Sequence, residues 1–415
     1  MRPTSEGDEP LPKDTSEQSV AVEASRITVW FSCLGHLFIH LCTAFYFVIV
    51  LSLEEQWQLP YHELIELWTV GSLLVGVGAL PAGLLSDRLG ASFMMVVFFV
   101  GLGGASIAAG FTNSPASLVV ALAAIGLFAS IYHPVGIPWL VRNTSRSTGK
   151  ALGFNGVFGA LGSALSGLVA GVLIDLSGWR AAFIVPGILC LATGAALAWF
   201  WLRGMTGEAV VSRTKASGTS APASSRVFPI LLVTMFVAGL IFHATQVSLP
   251  KFFEERAYGI AGDGALGVGV LVALVYGLAG LMQILGGHFA DRFSLKWVYV
   301  CTVALQAPLL WMASQLFGLP LVLVATMMVM AGASQLPAEN LLLAHHTPSH
   351  RHGLAFGLKF VLSFGAAPIA VALVSLTTSR TGDISIVYAL LSLCAVVAFL
   401  LAVLLPGDRA ATVSV

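Results

Sequence analysis

Charge is scarce in this 415-residue chain: Lys, Arg, Asp and Glu make up 10% of it, twenty basic against twenty acidic residues, for a formal net charge of zero. With 57% hydrophobic residues and a mean hydropathy of +0.90, it has too little polar surface for water. The balanced charge offers no footprint for nucleic acid. Cysteine is also sparse. Cys33, Cys42, Cys190, Cys301 and Cys394 lie inside apolar runs without C-x-x-C spacing, so no disulfide framework or thiolate zinc site is implied. No Gly-x-x-x-x-Gly-Lys-Ser/Thr loop is present, which argues against ATP-driven work. Residues 1–26 are polar, acidic and without an apolar signal segment, and they read as a disordered tail.

What the chain does have is long apolar runs, each near the roughly 20 residues a spanning helix needs. They cover 27–53, 63–85, 92–111, 115–141, 150–174 and 179–202, then 228–249, 265–289, 296–317, 320–344, 353–376 and 384–405. Twelve transmembrane helices in an all-α membrane protein are therefore expected. Between the two sets, 204–227 is rich in Ser, Thr, Ala and Gly with Arg213, Lys215 and Arg226, and reads as a flexible basic linker. Residues 406–415 form a short tail.

A repeat relates the two sets. Gly83-Leu-Leu-Ser-Asp-Arg-Leu-Gly90 returns as Gly287-His-Phe-Ala-Asp-Arg-Phe-Ser294, and at the same offset Ser130 meets Ser334, Gly149 meets Gly353 and Gly153 meets Gly357. The expectation is two pseudo-symmetric six-helix bundles, 27–203 and 228–405. Each Asp-Arg pair would close a tight hairpin in the headgroup zone. With both termini cytoplasmic, only Arg180, Lys251, Arg256 and Arg380 fall on the outer side. This basic bias puts the termini and the linker in the cytoplasm of a bacterial inner membrane.

The motif Gly83-x-x-x-Asp87-Arg88-x-Gly90 resembles the loop between helices 2 and 3 of the major facilitator superfamily, and the likeness extends over nearly the whole chain. The resemblance implies that Asp87 and Arg88, with Asp291 and Arg292 in the second copy, belong to a cytoplasmic charge latch between the halves. It also implies that helices 1, 4, 7 and 10 line a central pathway. Tyr132-His133-Pro134, with Gly35-His36 and the Gly149–Gly153 stretch, is similar to the fosmidomycin-resistance branch of exporters. Val135 and His40 stand where that branch usually carries acidic residues.

Ionisable residues inside spans are expensive in lipid and tend to face a cavity or a partner. Helix 1 carries His36 and His40, helix 4 His133, helix 7 His243 with Gln246, and helix 10 Glu339 with Asn340. Packing against a neighbouring carbonyl is the plainer reading of any one histidine; the set favours a pathway. His36 and His40 share a helix face at the spacing by which two imidazoles hold a metal. Counting along straight helices puts His133 and His243 at different depths, so no single ion reaches both, whereas His36 and His133 could share a level. With no acidic or thiolate ligand nearby, a metal site is not the expected reading. Glu339 and Lys359 lie at similar depth and are expected to pair. Pro134 frees a backbone carbonyl one turn earlier, near Ser130, and so breaks a cavity helix. Seven glycines from Gly149 to Gly171 give the fifth helix a small-residue face for close packing, or for sliding.

These features point to secondary transport of a small organic molecule by rocking of two halves, with proton-coupled efflux as the leading form. The alternatives are uptake of a small metabolite or organic anion, and a transporter-like receptor. No nucleophile motif suggests an enzyme. The expected partners are a substrate, protons and lipid, with no cofactor and no second subunit. A histidine titrates near pH 6.5 when unperturbed. His133 with Glu339 is therefore the expected protonation site, and His40 with His243 the substrate site.

Overall fold

The computed structural model describes residues 15–144, 148–207, 227–348 and 352–406. Lipid cannot hydrogen-bond a peptide group, so each apolar run satisfies its own backbone as a helix. The first half comprises α1 (Thr15–Ala44), α2 (Tyr46–Trp57), α3 (Tyr61–Glu66), α4 (Thr69–Val77), α5 (Ala79–Leu89), α6 (Ala91–Gly110), α7 (Pro115–Ala129), α8 (Tyr132–Arg142), α9 (Thr148–Ser177) and α10 (Trp179–Leu202). The second comprises α11 (Val227–Arg256), α12 (Gly264–Arg292), α13 (Leu295–Gln315), α14 (Gly318–His345), α15 (His352–Thr381) and α16 (Ser385–Val403). Taken as broken spans, α1 with α2, α3 to α5, and α7 with α8 bring the total to twelve crossings. Large apolar residues such as Leu84, Val120 and Leu176 are exposed on the outer faces, as lipid contact requires.

Two boundaries differ from the sequence expectation. Helix α1 begins at Thr15, so residues 15–26 extend the first span and are not part of a loose tail. The Asp-Arg motif is also helical: Gly83, Asp87 and Arg88 lie in α5, and the turn is made by Gly90 alone, whose φ of 88° suits glycine. In the second copy Gly287, Asp291 and Arg292 end α12, and Ser294 precedes α13. Residues 208–226 of the linker and 407–415 of the tail lie outside the described residues.

Breaks cluster where the pathway would run. The second span bends by 46° between Val77 and Ala79, and a Cβ on Gly78 would lie 2.5 Å from Ser130 Oγ. Ser130 and Ile131 interrupt the fourth span between α7 and α8, because Pro134 has no N–H to give the Ser130 carbonyl. A Cβ on Gly83 would lie 3.6 Å from Pro134 Cβ, so the repeated motif lies beside the broken helix.

The halves meet along two seams, α9 against α12 and α4 against α15. The glycine face of α9 divides in two. At Gly159, Gly162, Gly167 and Gly171 an added Cβ would come within 2.3–2.8 Å of a neighbouring helix, whereas at Gly149, Gly153 and Gly156 it would meet nothing within 4 Å. Only the second group of four is a packing surface.

Candidate functional site: a central cavity lined by histidines

Between the halves lies a cavity of about 100 Å³. Its polar lining comprises His40, Thr43, Ser72 and His133 from the first half and His243, Gln246 and Ser363 from the second. The His36 ring centroid is 5.0 Å from His40, 5.6 Å from His133 and 5.1 Å from the stacked Tyr132 ring. The His133 ring also packs on Phe364 of α15 at 5.1 Å, and the same Phe364 reaches the His243 ring at 6.3 Å. This aromatic contact was invisible in the sequence, since α15 offered no periodic cue beyond its apolar run.

Behind His36 is a polar network centred on Asn155 of α9. His36 Nδ1 lies 2.8 Å from the Asn155 carbonyl, and the Asn155 side chain bonds Tyr132 Oη at 2.8 Å and Ser32 Oγ at 3.3 Å. In the second half the same repeat position, Lys359, is the hub. Its Nζ lies 2.7 Å from Glu339 Oε1 and donates to Asn340 Oδ1 at 2.5 Å, while Tyr299 Oη donates to Glu339 Oε2 at 3.5 Å. Glu339 is only 2% exposed, so the ion pair and these hydrogen bonds are what make its charge tolerable there.

The expected association of His133 with Glu339 is therefore corrected. His133 belongs with His36, His40 and the cavity; Glu339 belongs with Lys359. One ring nitrogen from each of His36, His40 and His133 lies within 4.8 Å of the others, in keeping with the level that His36 and His133 could share; His243, counted to a different depth from His133, lines the same cavity.

At the end of the bundle away from the linker, the halves are tied. Lys251 Nζ lies 2.9 Å from Glu54 and 2.6 Å from Glu254. Tyr61 Oη donates to the Val247 carbonyl at 2.9 Å, and Ser375 Oγ donates to Glu66 at 2.5 Å. Asp175 accepts from the Ala265 and Leu266 amides at 3.3 and 3.1 Å, at the electropositive N-terminus of α12. At the linker end, Asp87, Arg88, Asp291 and Arg292 are exposed. Among the described residues no opposite charge lies within 4.0 Å of any of them.

Comparison with known proteins decides the family. The model described as Major Facilitator Superfamily matches residues 32–281 and 262–414. The chain belongs to the Major Facilitator Superfamily. It is 29% identical to a probable 4-methylmuconolactone transporter of Cupriavidus pinatubonensis (strain JMP 134 / LMG 1197) over 49% of this chain and 50% of the relative. It is 23% identical to Multidrug resistance protein MdtG of Proteus mirabilis (strain HI4320) over 67% and 70%. The chain thus spans only half the length of the first of these. Among solved structures, a peptide transporter in complex with sulfate superposes with a TM-score of 0.75 at 14% identity, covering 94% of this chain and 98% of that one. The xylose transporter XylE from E. coli, inward open, gives 0.71 at 15% identity, covering 92% and 97%. The superfamily fold is that of these structures; the narrower likeness to fosmidomycin-resistance exporters rests on the sequence motif alone.

Proposed function

We propose that the chain is a secondary active transporter that exports a small organic molecule by alternating access, with protons as the coupling ion. The observation that carries this is the central cavity, lined by polar groups from both halves, which are tied to one another at the end away from the linker. In this reading the linker end is cytoplasmic and the conformation is inward-facing. Export follows the longer-matched of the two relatives named above, Multidrug resistance protein MdtG. Uptake of a small organic anion is the second reading, after the probable 4-methylmuconolactone transporter.

Glu339 and Lys359 are the coupling pair in this proposal. The groups facing the carboxyl are Lys359 and Tyr299, and Lys359 in turn donates to Asn340. Proton exchange at the Glu339 carboxyl, gated by its ion pair with Lys359, is the coupling step in this reading. Proteoliposomes loaded with a small aromatic carboxylate test the function. Accumulation should follow an imposed pH gradient and collapse with an uncoupler, and a receptor would bind without accumulating.

Topology has its own test. In a cysteine-free background, Ser217→Cys should react with an impermeant maleimide only from the cytoplasmic face, and Tyr258→Cys, exposed in the loop after α11, only from outside. The reverse pattern would invert the assignment.

Asp87→Asn should slow transport several-fold while changing stability by no more than about 0.5 kcal/mol, because the side chain is exposed and has no ion-pair partner among the described residues. Its latch partners would engage only when the linker end closes. Normal turnover at normal expression would remove the latch from the account.

A further inference from the structure

We propose that His36, His40 and His133 form a binding site for one divalent transition-metal ion of the imidazole-preferring kind, zinc or a first-row neighbour. The proposal concerns equilibrium binding and stands independently of the transport reading. One ring nitrogen of each residue lies within 4.8 Å of the other two. Around a tetrahedral ion with bonds of about 2.0–2.1 Å, ligand nitrogens sit roughly 3.3 Å apart. The nitrogens therefore need to draw together by at most about 1.5 Å, a shift on the scale of side-chain adjustment.

Two features favour ligation over simple packing. The first is the preset state of His36. A carbonyl only accepts, so the 2.8 Å contact with Asn155 O places the proton on Nδ1 and leaves the Nε2 lone pair free. Such a bond to the remote nitrogen is how metal-binding imidazoles are oriented. The ring is further held by Tyr132 stacked on it and by Gly159, where a Cβ would sit 2.6 Å from Cε1 and Nε2. The second is His133. Both its ring nitrogens are shielded from solvent and neither has a hydrogen-bond partner, a cost of about 1–3 kcal/mol for a group left so. A metal bond removes that cost for one nitrogen.

The donor set selects the ion. Three neutral nitrogens without a carboxylate suit zinc, copper(II), nickel or cobalt and disfavour calcium and magnesium. A three-imidazole set leaves a fourth position open. His40 and His133 line the cavity with Thr43, Gln246 and His243, so that position opens onto polar groups of both halves and admits a water, a hydroxide or an anionic oxygen ligand.

The test uses the full chain in nanodiscs, its purification tag removed and its metal stripped with a chelator. Cobalt(II) titration should give saturable visible ligand-field bands at one ion per chain, displaced by zinc, and zinc should raise the thermal unfolding midpoint. His40→Gln and His133→Gln should each weaken binding by at least about tenfold, in line with the 10–100-fold lost when even an outer-shell partner is removed. The double variant His345→Ala/His346→Ala should bind like the parent, which controls for surface histidines. Gly159→Ala, which displaces the His36 ring and keeps all three ligands, should also weaken binding; it serves if a histidine variant does not fold. Absence of a saturable spectrum, or unchanged affinity in His40→Gln, His133→Gln and Gly159→Ala, overturns the site.

Discussion

Glu339→Gln is expected to abolish accumulation of substrate against a gradient while downhill exchange survives, and to destabilise the protein by about 3–5 kcal/mol. The magnitude is that of breaking a buried ion pair from one side, which leaves the other charge uncompensated. Lys359 would keep its bond to Asn340 Oδ1, but a neutral amide oxygen replaces only part of what the carboxylate supplied at 2.7 Å. The stability loss and the coupling loss have different remedies, which makes them separable. In the double variant Glu339→Gln/Lys359→Met no buried charge is left unpaired, so thermal stability should recover largely or wholly. Coupling should stay absent, since no carboxyl remains to carry a proton. Accumulation that persists in both variants, at normal expression, would place the coupling group elsewhere. Recovery of accumulation together with stability in the double variant would make the pair purely structural.

The fold was largely legible because its signals are physical requirements of the bilayer. Run length gave the spans, and the Asp-Arg repeat gave the two halves, since a turn in the headgroup zone needs the same chemistry in each copy. The Glu339–Lys359 pairing was also readable, because two lone ionisable groups at similar depth in adjacent helices have few other ways to be tolerated. The histidine cluster was not. Periodicity reports the face of one helix and says nothing of how a break at Pro134 re-aims the next turn, so the contacts of the His133 ring with His36 and His40 could not be read from it. Nor could the sequence identify Asn155 and Lys359 as equivalent hubs. Their alignment at one repeat position was visible, but a neutral amide gathering Ser32, Tyr132 and the segment behind His36 becomes evident only once the three helices are brought together. Glycine counting overreached in the same way: seven residues share a near-helical spacing, and only four of them touch a partner.

Gly269→Leu is expected to reduce transport by at least about tenfold, equivalent to about 1.4 kcal/mol in the barrier, whatever the substrate. Gly269 of α12 faces Gly167 of α9 across the seam between the halves. A Cβ there would lie 2.3 Å from the Gly167 carbonyl oxygen, and one on Gly167 would lie 2.8 Å from Val272 Cβ. These are contacts with backbone and with a β-branched side chain, neither of which can swing aside as a flexible side chain would. The helices must separate, and overpacking of this kind costs typically 1–3 kcal/mol. In lipid the loss is felt directly, because helix association there depends on close approach and van der Waals contact, with no hydrophobic drive to offset a gap. The seam is also what two rocking halves must slide along, so a wedge there should hinder the exchange between conformations as well as the resting state. Gly153→Leu is the control. It lies on α9, the helix that faces Gly269, and carries the same change in volume, but a Cβ at 153 meets nothing within 4 Å, so transport and thermal unfolding should stay near the parent. Equal loss in the two variants would mean that leucine harms α9 and α12 through some general effect on insertion or folding. Full transport in Gly269→Leu would mean that the halves move without using this contact.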